Sequence, residues 1–331
     1  MNKQQLADSL PLELQTIWQK TEKPFVRIIT ERARAPLPPT ASKFGGVPYM
    51  PYGSAYPECR GEPLYLLAQI NFAEVRRATG SLVSVGNAVL PEQGVLQIFI
   101  AGNDLYGLDF DRPYPQKGST YQVCFYEHDG LPEDASAAAR ARNIFESLFR
   151  RNRQAETGFP NNRTEGGLFS FVKSLFQQPG RPEVAASGLQ TAGEAVLPLY
   201  GEYALYFERD SAGLSSSDEV EGRRWFGEEG FWAYCERLAA DDEEAERIFN
   251  GFGEIAPMFG HQLFGYPSFT QFDVRDADSK EVLLLQIGSE YDDGGLSGIM
   301  WGDAGIGNFF IAPEDLAAKR FDRLRYHWDC G

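Results

Sequence analysis

Two stretches of the chain, about 200 residues apart, carry the same short motifs in the same order. Phe44-Gly45-Gly46-Val47-Pro48 is matched by Phe264-Gly265-Tyr266-Pro267, and Leu67-Ala68-Gln69-Ile70 by Leu284-Leu285-Gln286-Ile287. Phe99-Ile100-Ala101-Gly102-Asn103-Asp104-Leu105 is matched by Phe310-Ile311-Ala312-Pro313-Glu314-Asp315-Leu316, and Tyr126 with Asp129 by Tyr326 with Asp329. The offsets run 220, 217, 211 and 200, the drift that shorter loops in a second copy would give. A repeat of this kind constrains the fold before any single residue does. It predicts two similar β units, residues 40–130 and 256–331, with a helix-rich insertion over 131–255 between them.

Local patterns fill in those units. Leu14, Ile17 and Trp18 recur at helical spacing, and Pro24 ends that N-terminal helix before the strand-like Phe25-Val26-Arg27-Ile28-Ile29. Ser42-Lys43-Phe44-Gly45-Gly46-Val47-Pro48 reads as a fixed loop beside a site, because paired glycines permit backbone angles that other residues avoid. Residues 64–70 form an almost continuous apolar run, as a strand covered on both faces requires. Asn71 with Glu74 three residues on predicts a capping box at the start of a short helix. Strands follow at Val95–Ile100 and Tyr121–Tyr126, with a long loop over 106–119 between them.

Within the insertion, residues 132–153 read as a surface helix, with Ile144, Phe145, Leu148 and Phe149 at helical intervals. Helical character returns at 168–176 and in two helices over 228–249 broken near Asp241, while 196–207 gives one or two strands. The second unit offers strands at 282–287, 298–301, 308–311 and 321–328, and a short helix opened by Pro313. Short connections between strands favour antiparallel pairing, so the expected class is α+β, folded as one compact unit over 1–331.

Charge narrows the partners. Lys and Arg total 31 against 47 Asp and Glu, a net −16 that disfavours nucleic acid and anionic lipid. No apolar run approaches the roughly 20 residues of a membrane span, and residues 1–19 lack the basic-then-apolar order of an export signal. Cys59, Cys124, Cys235 and Cys330 are too few and too scattered for a disulfide framework, which suits a reducing cytoplasm.

Candidate chemistry is sparse. Trp301-Gly302-Asp303-Ala304-Gly305-Ile306-Gly307-Asn308 is glycine-dense, but it leads into a strand and lacks a following Lys-Ser or Lys-Thr, so it reads as a tight β connection rather than a phosphate loop. Asp292, Asp293 and Asp303, or Asp273, Asp276 and Asp278, read as solvated turns, since neither set has the spacing of a calcium loop. Cys124 with His128, and His327 with Cys330, offer zinc-type ligands, yet strand alternation puts His327 and Cys330 on opposite faces. No metal and no cofactor are expected. His261 has no evident partner in sequence.

Gln69 and Gln286 each interrupt a buried run, so each amide must find partners, either neighbouring backbone or one another across a pseudo-twofold axis. Arg140, Arg142, Arg150, Arg151, Arg153 and Arg163 make the inserted helix region locally basic, suited to docking on the protein's own acidic surface.

The segments Ser42-Lys43-Phe44-Gly45-Gly46-Val47-Pro48, Leu66-Leu67-Ala68-Gln69-Ile70-Asn71-Phe72, Asp104-Leu105-Tyr106-Gly107-Leu108-Asp109-Phe110, and Ile299-Met300-Trp301-Gly302-Asp303-Ala304-Gly305 through Asn308-Phe309-Phe310-Ile311 resemble the bacterial YwqG-like family of uncharacterised proteins. The resemblance runs from near Phe25 to Trp328-Asp329-Cys330 and carries no catalytic residue or cofactor with it. What it implies about function is limited to proposals, drawn from gene neighbourhood, that members include immunity proteins against bacterial toxins.

Charge and resemblance together predict a non-catalytic cytoplasmic protein that binds a basic protein partner, as an antitoxin would, by electrostatic steering. The competing expectation is an enzyme or small-molecule binder with a site between the two units, drawn from Gln69, Asp104, Tyr106, Asp109, Gln286, Trp301, Asp303 and Asn308.

Overall fold

The computed structural model describes residues 9–128, 130–156, 195–255, 260–291 and 297–331. Ten strands form one sheet: β1 (Lys23–Arg32), β2 (Lys43–Gly45), β3 (Tyr65–Asn71), β4 (Val95–Ile100), β5 (Tyr121–Tyr126), β6 (Glu202–Ala212), β7 (His261–Phe264), β8 (Val282–Gly288), β9 (Ile306–Ile311) and β10 (Arg325–Asp329). Their order is β10-β9-β8-β7-β1-β6-β2-β3-β4-β5, and every neighbouring pair is antiparallel. The α+β class with antiparallel pairing therefore stands.

The middle of the sheet is the long β1–β6 ladder, in register from Lys23↔Ala212 to Arg32↔Tyr203. Val26, Ile28, Tyr203, Leu205 and Phe207 alternate inward, while Ile29 and Tyr206 face solvent, the period-two pattern of a sheet wet on one side. One of these two central strands thus comes from the stretch between the matched motifs. Strands β4, β7 and β9 are buried along their whole length.

The sheet curls until its two edges meet. Tyr121 of β5 donates its hydroxyl to the Leu324 carbonyl and packs on Tyr326 with ring centroids 5.2 Å apart, and Phe125 meets Phe321 at 4.6 Å. The inner faces of both sides share one apolar core that includes Phe44, Leu67, Ile98, Leu285, Phe309 and Tyr326.

Helices cover the outside. α1 (Leu12–Lys20), α4 (Glu219–Phe226), α5 (Gly230–Leu238) and α6 (Asp242–Ile255) form a layer with its own core of Leu14, Ile17, Phe226, Phe231 and Phe252. In α6 the buried Ala245, Ile248, Phe252 and Ile255 mark one helix face. α3 (Ala135–Glu156) packs on the outer side of Leu66 and Phe99 through Ala141, and Asp134 caps it by accepting from the Ser136 and Ala137 amides at 2.9 and 3.0 Å. α2 (Phe72–Thr79) and α7 (Pro313–Ala317) are short, and α7 has Pro313 in its first turn. Among the described residues no helix is long and apolar enough to cross a membrane.

Several sequence expectations shift. Asn71 caps α2, accepting from Ala73 N at 3.0 Å, but no capping box forms: Glu74 turns away to accept from Ser42 N at 2.8 Å. α4 was not foreseen, residues 321–323 form a 3-10 turn before β10, and the strand expected at 298–301 is Ser297–Ile299, paired with Glu290–Tyr291. The helix expected at 168–176 lies outside the described residues.

The ladders also correct how the motifs correspond. Lys43 faces Gln69 and Gln262 faces Gln286, so residue 43 matches 262, and Gly45 matches Phe264 rather than Phe44 doing so. Backbone angles agree: Gly45 and Gly46 have φ of +65° and +77°, Phe264 and Gly265 +61° and +80°. Irregularities fall between Leu66 and Ala68 in β3 and between Leu283 and Leu285 in β8, at the offset of 217 that Gln69 and Gln286 share. Tyr126 faces Val95 whereas Tyr326 faces Phe309, so Tyr326 matches Val123, three residues from the expected pairing. Asp129 lies outside the described residues.

A Cβ at Gly45 would stand 2.2 Å from the Gly201 carbonyl oxygen, on a backbone already in the left-handed region. Gly45→Ala is expected to lower unfolding free energy by about 2 kcal/mol or more. Gly130→Ala, with open space around it, is expected to change it by less than about 0.5 kcal/mol. Urea denaturation of both variants checks this.

Candidate functional site

Gln69 and Gln286 do not meet. Gln69 stands on β3 and donates to the Pro39 and Ala41 carbonyls at 2.8 and 2.7 Å, while its oxygen accepts from Tyr49 N at 2.9 Å and Gln97 Nε2 at 2.7 Å. Gln286 on β8 accepts from Ser268 N at 2.8 Å and donates to the Gly260 carbonyl at 2.9 Å. Their cross-strand neighbours close each bracket: Gln97 Nε2 donates to the Tyr49 carbonyl and Asn308 Nδ2 to the Ser268 carbonyl, both at 2.8 Å. In each bracket two amide side chains hold both polar groups of one loop residue, Tyr49 or Ser268. Full burial makes those bonds obligatory. Gln97, absent from the sequence expectations, interrupts its apolar strand just as Gln69 does, so the same signal could have found it.

Tyr106 and Trp301 come together in an aromatic seam with Trp328, at centroid distances of 5.7 Å from Tyr106 to Trp301 and 4.8 Å to Trp328. Tyr326 donates to the Tyr106 carbonyl at 3.0 Å and Trp328 to that of Leu105 at 2.8 Å, which pins the β4–β5 loop against the opposite end of the sheet. These rings belong to the buried core that the two sides share. Asp104 and Asp303 are exposed, and Asp109 ends near Arg112 at 3.9 Å, away from the amide brackets. The glycine-dense connection leads into β9 as a tight turn, and at Gly307 a Cβ would stand 2.4 Å from the Trp301 ring, so packing explains that glycine.

Among the described residues no group of three or more His, Cys, Asp or Glu is placed to hold a metal. Cys124 packs on the outer cluster under α3, Cys330 belongs to the inner core, and His128 is exposed beside Gln93. Asp273 leaves the expected solvated turn: it is buried and binds Arg275, whose guanidinium also donates to Asp218 at 2.7 Å. Asp292 and Asp293 lie outside the described residues, as does Arg163. His261 does find a partner, with Nε2 2.7 Å from Glu290, whose carboxyl is held below its ordinary value chiefly by that bond. Arg140 pairs with Glu58 and lies over the Tyr56 ring at 5.9 Å, the self-docking expected of it.

A cleft of about 780 Å³ opens between residues 32–39, the residues Lys43, Val47 and Pro48 that flank Gly45-Gly46, α3 and the start of β6. Lys43 lines it with a side chain only 1% exposed, donating to the Val47 carbonyl at 2.9 Å and to Glu202 at 3.0 Å. Burial pulls its ammonium below the ordinary lysine value, and Glu202 counters this in part. At the matching position Gln262 donates to the Tyr266 carbonyl at 2.8 Å, so a neutral amide does in one loop what the ammonium does in the other. The loop is visible in the sequence but this pairing is not, because Glu202 lies 159 residues away from Lys43.

Replacing Gln69 by Leu would strand the Tyr49 amide, one of the two N–H groups of Gln97 Nε2, and the Pro39 and Ala41 carbonyls. A loss of about 2–4 kcal/mol is expected for Gln69→Leu, with a smaller loss for Gln286→Leu, whose amide makes fewer bonds to the described residues, both measured by urea unfolding.

His327 on β10 is lowered to about 4 by burial and by Arg325. A depressed histidine contributes stability above about 6.5, its unfolded value, that is lost as pH falls towards 4, because the unfolded chain takes up the proton first. His327→Gln is therefore expected to lose less stability than wild type between pH 6.5 and 4, followed by denaturant midpoints.

No curated protein matches the chain. One family does match, over residues 42–330, from the Ser42-Lys43 loop through both amide brackets to β10. The chain therefore belongs to the family described as a domain of unknown function, DUF1963.

Proposed function

We propose that the protein is a non-catalytic binder of a basic macromolecular partner, acting through the helical layer α4–α6. The observation that carries this reading is charge placement: residues 219–255 hold eleven Asp and Glu against four Arg, a net −7 of the chain's −16. Glu228, Glu229, Glu236, Asp241, Asp242, Glu243 and Glu246 are exposed there. Among them Trp232 is 43% exposed, steadied by Phe249 at 5.5 Å and by donating to Glu236 at 2.9 Å. An acidic field around a held aromatic suits fast, salt-sensitive capture of a cationic surface with one apolar anchor.

The inter-unit alternative has less support, since the amides chosen for it are committed to loop residues and Tyr106 and Trp301 are packed in the shared core. The paired irregularities, the matched positive-φ loops and the two amide brackets support descent of the β units from one duplicated ancestor, with 131–255 inserted between them. The motifs support YwqG-like membership within the family, and four free cysteines suit a cytoplasmic setting. An antitoxin-like role agrees with the charge, because proteins acting on nucleic acids present cationic surfaces.

Affinity capture from the native cytoplasm with wild type and with Asp242→Lys/Glu243→Lys/Glu246→Lys tests the reading. A basic protein recovered by wild type, reduced at least tenfold in 0.5 M salt and in the charge-reversed variant, is expected. Equal recovery by both proteins at both ionic strengths overturns it.

A further inference from the structure

The cleft beside the Gly45-Gly46 loop holds cationic groups beyond what folding requires. Lys43 has three N–H donors and two acceptors, the Val47 carbonyl and Glu202. It is buried, so the third donor is left without a protein acceptor among the described residues. The loop contact itself does not need a charge, because Gln262 makes the matching bond with an amide. A buried ion pair is weak evidence for stability, since desolvation offsets much of its attraction. Arg34 and Arg142 line the same cleft and are exposed, with no hydrogen bond or ion pair to any described residue. Four cations line it, Arg32, Arg34, Lys43 and Arg142, against three carboxylates, Glu133, Glu146 and Glu202, so the lining is positive by one charge in a chain of net charge −16. Leu37, Val47 and Phe145 give the cleft apolar wall, and about 780 Å³ falls within the range of small-molecule sites.

We propose that this cleft binds a small organic oxyanion, a carboxylate or phosphate carried on a flat apolar body, with Lys43, Arg34 and Arg142 as its cations. The buried ammonium supplies a charge-assisted donor in a region of low dielectric, and the arginines offer planar forks that match either head group. Glu202 holds the Lys43 ammonium in place at the cleft wall. The site is separate from the acidic face of α4–α6, so either proposal stands or falls without the other.

The test is equilibrium binding of 1-naphthyl phosphate, 1-naphthoate and neutral 1-naphthol by calorimetry. At least one anion is expected to bind wild type at sub-millimolar concentration and at least tenfold more tightly than 1-naphthol, the better anion identifying the head group. Arg142→Gln and Arg34→Gln are each expected to weaken that anion about tenfold. Lys43→Gln/Glu202→Gln, which removes the charge without stranding a carboxylate, is expected to weaken it at least tenfold. Charge reversal at Asp242, Glu243 and Glu246 should leave it unchanged. Absence of anion binding up to 1 mM, equal binding of 1-naphthol, or wild-type affinity in Arg142→Gln and Arg34→Gln overturns the proposal; the arginine variants retain that force if the double variant fails to fold.

Discussion

The antiparallel pairing of β1 with β6 sets the geometry that everything else inherits. Ten consecutive residue pairs join the strands, and each strand then hands on a shorter neighbour, β7 on one side and β2 on the other. Strand twist accumulates from this centre outward. With four strands beyond it on either side, the sheet brings β5 and β10 close enough for Tyr121 to reach Leu324. One apolar interior results instead of two, because Phe44 and Leu67 from one side and Leu285 and Phe309 from the other belong to the same cluster.

A shared interior leaves little room for polar groups, and those present are tightly managed. The two amide brackets satisfy loop backbone that would otherwise be stranded, yet each leaves the same atom over: Gln97 Oε1 and Asn308 Oδ1 are both buried without a partner among the described residues. Such repetition of a small defect fits a bracket whose value lies in fixing Tyr49 and Ser268 rather than in its own bond count. Where the two sides differ, the difference is chemical. Gln262 is neutral and internal, whereas Lys43 carries a charge to a cleft, so one of two similar loops has the means to meet a ligand.

Much of this architecture was legible in the sequence, for identifiable reasons. Gln69 and Gln286 announced themselves by breaking apolar runs, and the constant offset of 217 between their strands survives in the paired irregularities. Matching letters misled where backbone register decides: Phe44 resembles Phe264 in type, but ladder position and positive φ assign Phe264 to Gly45. Tyr126 and Tyr326 failed likewise. Contacts between distant positions left no local trace. Lys43 with Glu202, and Arg275 with Asp218, become pairs only after the sheet and the helical layer are assembled. The partnership of β6 with β1 was hidden for the same reason, since its sequence showed a strand without showing a neighbour.

The central ladder also bears on how the molecule is made. Residue 28 must wait for residue 207 on one flank and residue 261 on the other before its backbone is paired on both sides. Contacts this distant along the chain raise contact order, which slows folding and prolongs exposure of unpaired strand edges during synthesis. A nascent chain of this kind has reason to depend on chaperones until its far strands emerge from the ribosome.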